Sequence, residues 1–96
     1  LKRALLLTYG DPRIQDSLGW AYLKLGMLEK AERHLQKAYE ALSYEPEVVY
    51  HRALLSLKKG EFSVGKNLLT EALKLRPSAW ILRKIRSQLS ALTLKG

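Results

Sequence analysis

The sequence predicts an all-α fold in which antiparallel helix hairpins stack into a solenoid. Its 96 residues repeat with a period of 34, which brings small and large side chains into phase. The positions in phase include Leu1, Leu35 and Leu69; Ala4, Ala38 and Ala72; Pro12 and Pro46; Gly26 and Gly60; and Leu28 and Phe62. Such a period is typical of repeat proteins, in which one unit cannot bury its apolar face without a neighbour.

Proline and glycine positions predict where the helices begin and end. Asp11 before Pro12 favours a helix start, because aspartate accepts free amide hydrogens and proline needs no donor at the first helical position. Pro46 repeats this signal between two glutamates. Gly26 and Gly60 predict helix ends. The expected helices cover 13–25, 28–43, 46–59, 62–75 and 79–92, and the two short glycine turns require antiparallel pairs.

Apolar residues at helical spacing predict the buried face of each helix. The expected stripes are Ile14, Leu18, Tyr22 and Leu25; Leu28, Ala31, Leu35, Ala38 and Leu42; Phe62, Gly65, Leu69 and Ala72; and Leu82, Ile85, Leu89 and Leu92. The last helix carries Arg83, Lys84, Arg86 and Ser90 opposite its stripe. This polar face is typical of a helix that caps the end of an array.

The recurring residues carry a family resemblance. Residues 12–45 contain Leu18, Gly19, Tyr22, Gly26, Ala31, Leu35 and Ala38, and residues 46–79 contain Ala53, Gly60, Phe62, Leu69, Ala72 and Pro77. In these positions the chain resembles the tetratricopeptide repeat family, and residues 16–22 are similar to bacterial members. The second repeat departs at Arg52 and Ser56, where the family usually has a large apolar and an aromatic residue, and at Gly65, where it favours alanine.

The resemblance implies a single domain over 1–96, built as a right-handed superhelical solenoid. Residues 1–11 would be the second helix of a preceding repeat, 12–45 and 46–79 complete repeats, and 80–96 a capping helix. Because the first residue is Leu rather than Met, we interpret the chain as the C-terminal part of a longer array. Bacterial cytoplasm and periplasm both fit, so the location of the parent protein stays open.

The resemblance also implies a concave groove, lined by the first helix of each pair, that receives a peptide or helix of a partner protein. Carried onto this sequence, the groove residues are Arg13, Asp16, Trp20, Leu23, Lys24, Glu47, Tyr50, Leu54, Leu57, Lys58, Lys84 and Gln88, extended by Ala91. The partner would need apolar anchors and acidic residues. Alternatively, Trp20 and Leu54 only pack between adjacent helices.

Charge is distributed unevenly along the chain. Residues 1–47 carry seven basic and seven acidic side chains, whereas residues 48–96 carry ten basic and two acidic ones, which accounts for the net charge of +8. A basic patch of Arg83, Lys84 and Arg86 near Trp80 could bind nucleic acid or another polyanion. However, cations in the last turn of a helix also favour its dipole, so nucleic acid is the less favoured partner. Self-association through exposed ends, such as Leu5 to Leu7, is a third possibility.

No chemistry of a catalytic, metal or cofactor site is indicated. The chain has no cysteine, and His34 and His51 have neither a nucleophile nor a second ligand at a convincing spacing. We therefore expect a non-enzymatic scaffold without a cofactor. No apolar run is long enough to cross a membrane, so direct membrane insertion is not expected either.

Gly65 leads to an expectation about stability. The residue 34 positions earlier is Ala31, in the middle of a helix. If a methyl group fits, Gly65→Ala should stabilise the fold by about 0.5 to 1 kcal/mol, because glycine loses more backbone entropy than alanine in a helix.

Overall fold

Five α-helices make up the described part of the protein. The computed structural model describes the backbone of residues 10–95 and the side chains of residues 10–93. The helices are α1 (Pro12–Lys24), α2 (Leu28–Ala41), α3 (Pro46–Lys58), α4 (Phe62–Lys74) and α5 (Ala79–Lys95). The all-α prediction is confirmed, and the observed bounds differ from the expected ones by at most three residues. Most of the expected preceding helix, including Leu5 to Leu7, lies outside the described residues.

The helices pack as sequential antiparallel hairpins. α1 pairs with α2, α3 pairs with α4, and α2 packs on α3 while α4 packs on α5. The first helices of consecutive hairpins also touch, since α1 contacts α3 and α3 contacts α5. The three helices α1, α3 and α5 therefore share one side of the molecule.

The turn chemistry read from the sequence is present. The Asp11 side chain accepts a hydrogen bond of 2.8 Å from the amide of Arg13, with Pro12 at the first helical position. Gly26 and Gly60 have φ angles of 80° and 83°, which favour glycine. At each, two backbone hydrogen bonds close the helix end, for example from Met27 N to Tyr22 O. The chain reverses direction at these two glycine-containing helix ends.

The buried faces agree with prediction for α2 and differ for α1. Ala31, Leu35, Ala38 and Leu42 are all buried. In α1, by contrast, the buried residues are Gln15, Gly19 and Leu23, one position beyond the expected stripe, and Leu25 is 72% exposed. The shift follows from Gly19, which lacks a side chain and lets Leu35 approach the α1 backbone. The face of α1 that lies closest to α2 is therefore centred on Gly19.

Polar contacts replace apolar ones between the two hairpins. Arg52 Nε donates to Gln36 Oε1 at 3.0 Å, and Arg52 Nη1 lies 3.3 Å from Ser56 Oγ. Ser56 is fully buried, so this bond satisfies a group that water cannot reach. These two residues stand where Leu18 and Tyr22 stand in the first hairpin. Arg52 and Ser56 thus satisfy each other's polar groups where the first hairpin has apolar and aromatic side chains.

Candidate binding pocket between the first helices

A pocket of about 510 Å³ lies between α1, α3 and α5. We call it the α1–α3–α5 pocket, and its lining consists of Trp20, Leu23, Lys24, Leu54, Leu57, Lys58, Phe62, Gln88, Ala91 and Leu92. Apolar and aromatic side chains dominate this lining, and two lysines and one glutamine supply its polar groups. This composition is typical of a concave binding site, in which apolar walls bind and a few polar groups orient.

The two lysines of the pocket occupy equivalent places. Lys24 lies in the last turn of α1 and Lys58 in the last turn of α3. Neither forms an ion pair with a carboxylate among the described residues, although Lys24 Nζ lies 5.1 Å from the centre of the Trp20 ring. Neighbouring Lys59, in contrast, pairs with Glu32 and Glu61. The pocket therefore presents two cations beside an apolar surface, which favours an anionic group on a ligand.

One aromatic wall of the pocket is held by a buried histidine. The Trp20 and His51 rings stack with centroids 4.3 Å apart and planes at 17°. His51 Nδ1 lies 2.9 Å from Asp16 Oδ1 and 3.0 Å from Asp16 Oδ2. His51 is 6% exposed. Asp16 of α1 and His51 of α3 therefore join the two helices behind Trp20.

The structure brings together part of the groove expected from the sequence. Trp20, Leu23, Lys24, Leu54, Leu57, Lys58 and Gln88 all line the α1–α3–α5 pocket. Arg13, Asp16 and Glu47 instead line a separate depression of about 180 Å³ with Ser17, Glu45 and Val48. Because this depression combines three carboxylates with one guanidinium, it offers no continuation of the apolar surface. The expected groove is thus divided between two recesses.

Two expected groove residues lie under the surface. Tyr50 is 5% exposed and packs in the core cluster with Leu69 of α4 and Ile85 of α5. Its side chain faces those helices, and burial raises the pKa of its hydroxyl. Leu23 reaches the pocket but is only 1% exposed, because Ala31, Leu35 and Leu55 pack around it. Neither side chain offers a partner much surface.

Phe62 is a pocket residue that sequence reasoning assigned to hairpin packing. It is 53% exposed at the start of α4 and lines the pocket beside Leu57 and Lys58. Leu92 lines the same pocket from α5. The signal for Phe62 was its position directly after the Gly60 turn, which returns α4 next to the end of α3. A large aromatic side chain there extends past the hairpin core.

The basic patch lies on the outer face of α5. Arg83, Lys84 and Arg86 are exposed, whereas Ile81 and Ile85 of the same helix are buried. Lys84 Nζ lies 5.0 Å from the centre of the Trp80 ring. Lys84 is thus one turn from Gln88 but outside the pocket lining. The patch and the pocket are separate surfaces.

The two histidines contact side chains of neighbouring helices. His34 Nδ1 lies 2.6 Å from Gln15 Oε1, and its ring stacks on Tyr22. Burial, with Lys37 and Arg33 nearby, lowers the pKa of His34. Within the described range, no set of three or more histidine and acidic side chains could hold a metal ion, and no helix is both long and apolar enough to cross a membrane. Both histidines serve packing contacts between helices.

Comparison with known protein families locates one repeat. Residues 12–41, which contain α1, its glycine turn and α2, match the family described as tetratricopeptide repeat. The first hairpin is a tetratricopeptide repeat. Such repeats are generally protein–protein interaction modules and typically non-catalytic, and no enzymatic domain is found. No curated protein and no solved structure shows a significant match to the chain.

Proposed function

We propose that this chain is a non-enzymatic protein-binding scaffold whose α1–α3–α5 pocket holds a peptide or helix of a partner protein. In this proposal α3 and α4 form a second repeat over residues 46–79, and α5 caps the array. The observation that carries the proposal is that one recess combines half-buried Trp20 and exposed Phe62 with two lysines that form no ion pair among the described residues. The tetratricopeptide repeat at residues 12–41 supports it.

We infer the chemistry of the partner from the chemistry of the pocket. Apolar walls favour leucine or phenylalanine anchors, which gain free energy in proportion to the apolar area that they bury. Lys24 and Lys58 favour a carboxylate close to those anchors. A segment with apolar anchors and at least one acidic residue satisfies both requirements. A purely basic or purely polar segment satisfies neither.

The proposal is tested by screening an array of peptides and measuring the strongest binder by fluorescence anisotropy. Trp20→Ala and Leu54→Ala each remove lining atoms and should weaken binding by about tenfold or more, because aromatic and apolar anchors dominate such interfaces. Asn67→Ala is the control, since Asn67 is exposed on α4 and outside the pocket. Gln36 is unsuitable as a control because it accepts the Arg52 hydrogen bond.

Folding must be measured alongside binding. Truncation of a partly buried aromatic side chain costs several kcal/mol in some proteins, so each variant is compared with the wild type by circular dichroism. If both pocket variants fold and bind like the wild type while the peptide is still captured, another surface is the interface. The pocket would then have no part in recognition.

A further inference from the structure

The pair Asp16–His51 joins the two hairpins and does not recur one repeat later. The residues 34 positions further along are Tyr50 and Ile85, which lie in one apolar cluster. Repeat packing therefore does not require this pair. It is nonetheless well buried, with side-chain exposures of 7% for His51 and 13% for Asp16. A buried pair outside the repeat pattern needs a local reason.

We propose that Asp16 and His51 are positioning residues that fix the indole of Trp20 as a preformed wall of the α1–α3–α5 pocket. The Nδ1–H of His51 donates to the Asp16 carboxylate, which sets the tautomer and the orientation of the imidazole. The imidazole then supports the indole by stacking at 4.3 Å. Asp16 thus restricts rotation of the His51 ring, and His51 restricts rotation of the Trp20 ring.

The geometry of the three residues supports this role. Asp16 and Trp20 are four residues apart on α1 and therefore share one helix face. His51 reaches both of them from α3. Two carboxylate oxygens within 3.0 Å of one nitrogen hold the ring in its plane. The indole thus rests on a ring that cannot rotate without losing its hydrogen bond.

The indole also keeps a free polar group. Among the hydrogen bonds of the described residues, none uses the Nε1–H of Trp20, so this donor can meet an oxygen of a ligand. A fixed indole loses little conformational entropy on binding, and preorganisation of this kind raises affinity by lowering the cost of ordering. This consequence for affinity rests on the proposed function. The ordering of the indole in the free protein is independent of the proposed function.

The direct test is the mobility of the Trp20 side chain in the free protein. Trp80→Phe leaves Trp20 as the single tryptophan, because the chain has two, and Trp80 lies outside the pocket lining. In this background the ¹⁵N relaxation of the indole Nε1–H gives an order parameter. We expect about 0.85 in the parent, as for a rigid backbone amide, below about 0.6 in His51→Ala, as for a flexible one, and an intermediate value in Asp16→Ala.

Two conservative variants separate positioning from general stability. Asp16→Asn keeps an oxygen acceptor for Nδ1–H and should restore the order that Asp16→Ala loses. His51→Phe keeps the stack without the hydrogen bond and should restore part of it. An unchanged order parameter in folded Asp16→Ala and His51→Phe would overturn the proposal. If His51→Ala does not fold, the comparison of Asp16→Asn with Asp16→Ala decides.

A binding measurement adds the functional consequence. The probe is a fluorescein-labelled, end-blocked peptide of leucine, phenylalanine and glutamate residues. His51→Ala and Asp16→Ala should bind it about two- to tenfold more weakly than the parent, which corresponds to the value of one aromatic pair. If the parent itself does not bind any acidic apolar peptide, the proposed function fails. The relaxation experiment still decides whether the pair positions Trp20.

Discussion

The two hairpins place their glycine on opposite helices. In the first hairpin Gly19 lies on α1, and a methyl group built there would sit 2.5 Å from Leu35 Cδ2. In the second hairpin Gly65 lies on α4, and a methyl group there would sit 2.5 Å from Leu57 Cδ2. Sequence correspondence pairs Gly19 with Ala53 and Ala31 with Gly65. Each hairpin thus has one close approach between its two helices. The glycine lies on the first helix in the first hairpin and on the second helix in the second hairpin.

The difference lies in the side chain that fills the space. Leu35 is fully buried, and its backbone nitrogen also lies 3.0 Å from the methyl position at Gly19. Leu57 is only half-buried and lines the α1–α3–α5 pocket. The first close approach is therefore locked inside the core. The second one connects hairpin packing to the pocket wall.

The largest expected effect belongs to Gly19→Ala. The new methyl group meets both the Leu35 side chain and its backbone, which cannot move without shifting α2. Overpacking of this kind costs about 1 to 3 kcal/mol, more than the gain of about 1 kcal/mol in helix propensity. We therefore expect a net loss of up to about 2 kcal/mol in the free energy of unfolding, measured by urea denaturation. A stabilised variant would show that α1 and α2 are farther apart than described.

The next largest effect concerns Arg52, which makes polar contacts at the position where the first hairpin has apolar Leu18. Arg52→Ala removes the donor to Gln36 and the contact with buried Ser56. We expect a loss of about 1 kcal/mol, because a buried hydroxyl keeps its desolvation cost without its partner. Ser56→Ala should reduce the loss in the double variant. Additive losses in thermal or urea unfolding would contradict a shared network.

Gly65→Ala should have a smaller effect than Gly19→Ala. The sequence predicts stabilisation only if a methyl group fits, and in the structure Leu57 Cδ2 lies 2.5 Å and Ala53 O 3.3 Å from the methyl position, so it does not fit without movement. Because Leu57 is half-buried at the edge of the pocket, we expect its side chain to shift toward the pocket at a cost between about zero and 1 kcal/mol. In a Leu57→Ala background the same change should stabilise by about 0.5 to 1 kcal/mol. A double-mutant cycle of Gly65→Ala and Leu57→Ala that shows no coupling energy would contradict this account of the second hairpin.

The smallest effect concerns His34, whose counterpart in the second hairpin is Leu68. Since its pKa is lowered in the folded protein, the unfolded chain binds the proton more readily. Its contribution to stability is present above the unfolded pKa of about 6.5 and is lost as the pH falls from there through the lower pKa of the folded protein. On acidification, the melting temperature of His34→Gln should therefore fall less than that of the wild type. Lys66→Gln, a change on the exposed face of α4, should behave like the wild type.

Features set by local chemistry were predictable from the sequence. The cap at Asp11 and the turns at Gly26 and Gly60 depend on residues within a few positions of each other. The period of 34 then identified hairpins, because equivalent residues share equivalent neighbours. Lys24 and Lys58 followed from the same correspondence.

Features set by the distance and rotation between helices were not predictable. Tyr50 is buried because α3 turns it toward α4 and α5, and no local pattern reports that rotation. Phe62 is exposed although its counterpart Leu28 is half-buried. Gly65 looked open because the position of Leu57 was unknown. Nothing nearby in the sequence pairs Asp16 with His51, which meet only when two hairpins pack.

The most direct test of the central claim compares charge reversal at two matched lysines. Lys58 and Lys74 each lie in the last turn of a helix, but only Lys58 lines the pocket. Lys58→Glu and Lys74→Glu therefore change the net charge and the helix dipole interaction alike. Fluorescence anisotropy with the same acidic apolar peptide compares the two.

If the pocket binds the peptide, Lys58→Glu weakens binding by about five- to tenfold, and Lys74→Glu leaves it nearly unchanged. A further variant that reverses Arg83 and Arg86 should also have little effect. Equal losses in all three variants, with binding that falls steeply and log-linearly in salt and extends to a labelled oligonucleotide, would contradict the account. Binding would then follow the whole positive surface, as it does for a polyanion.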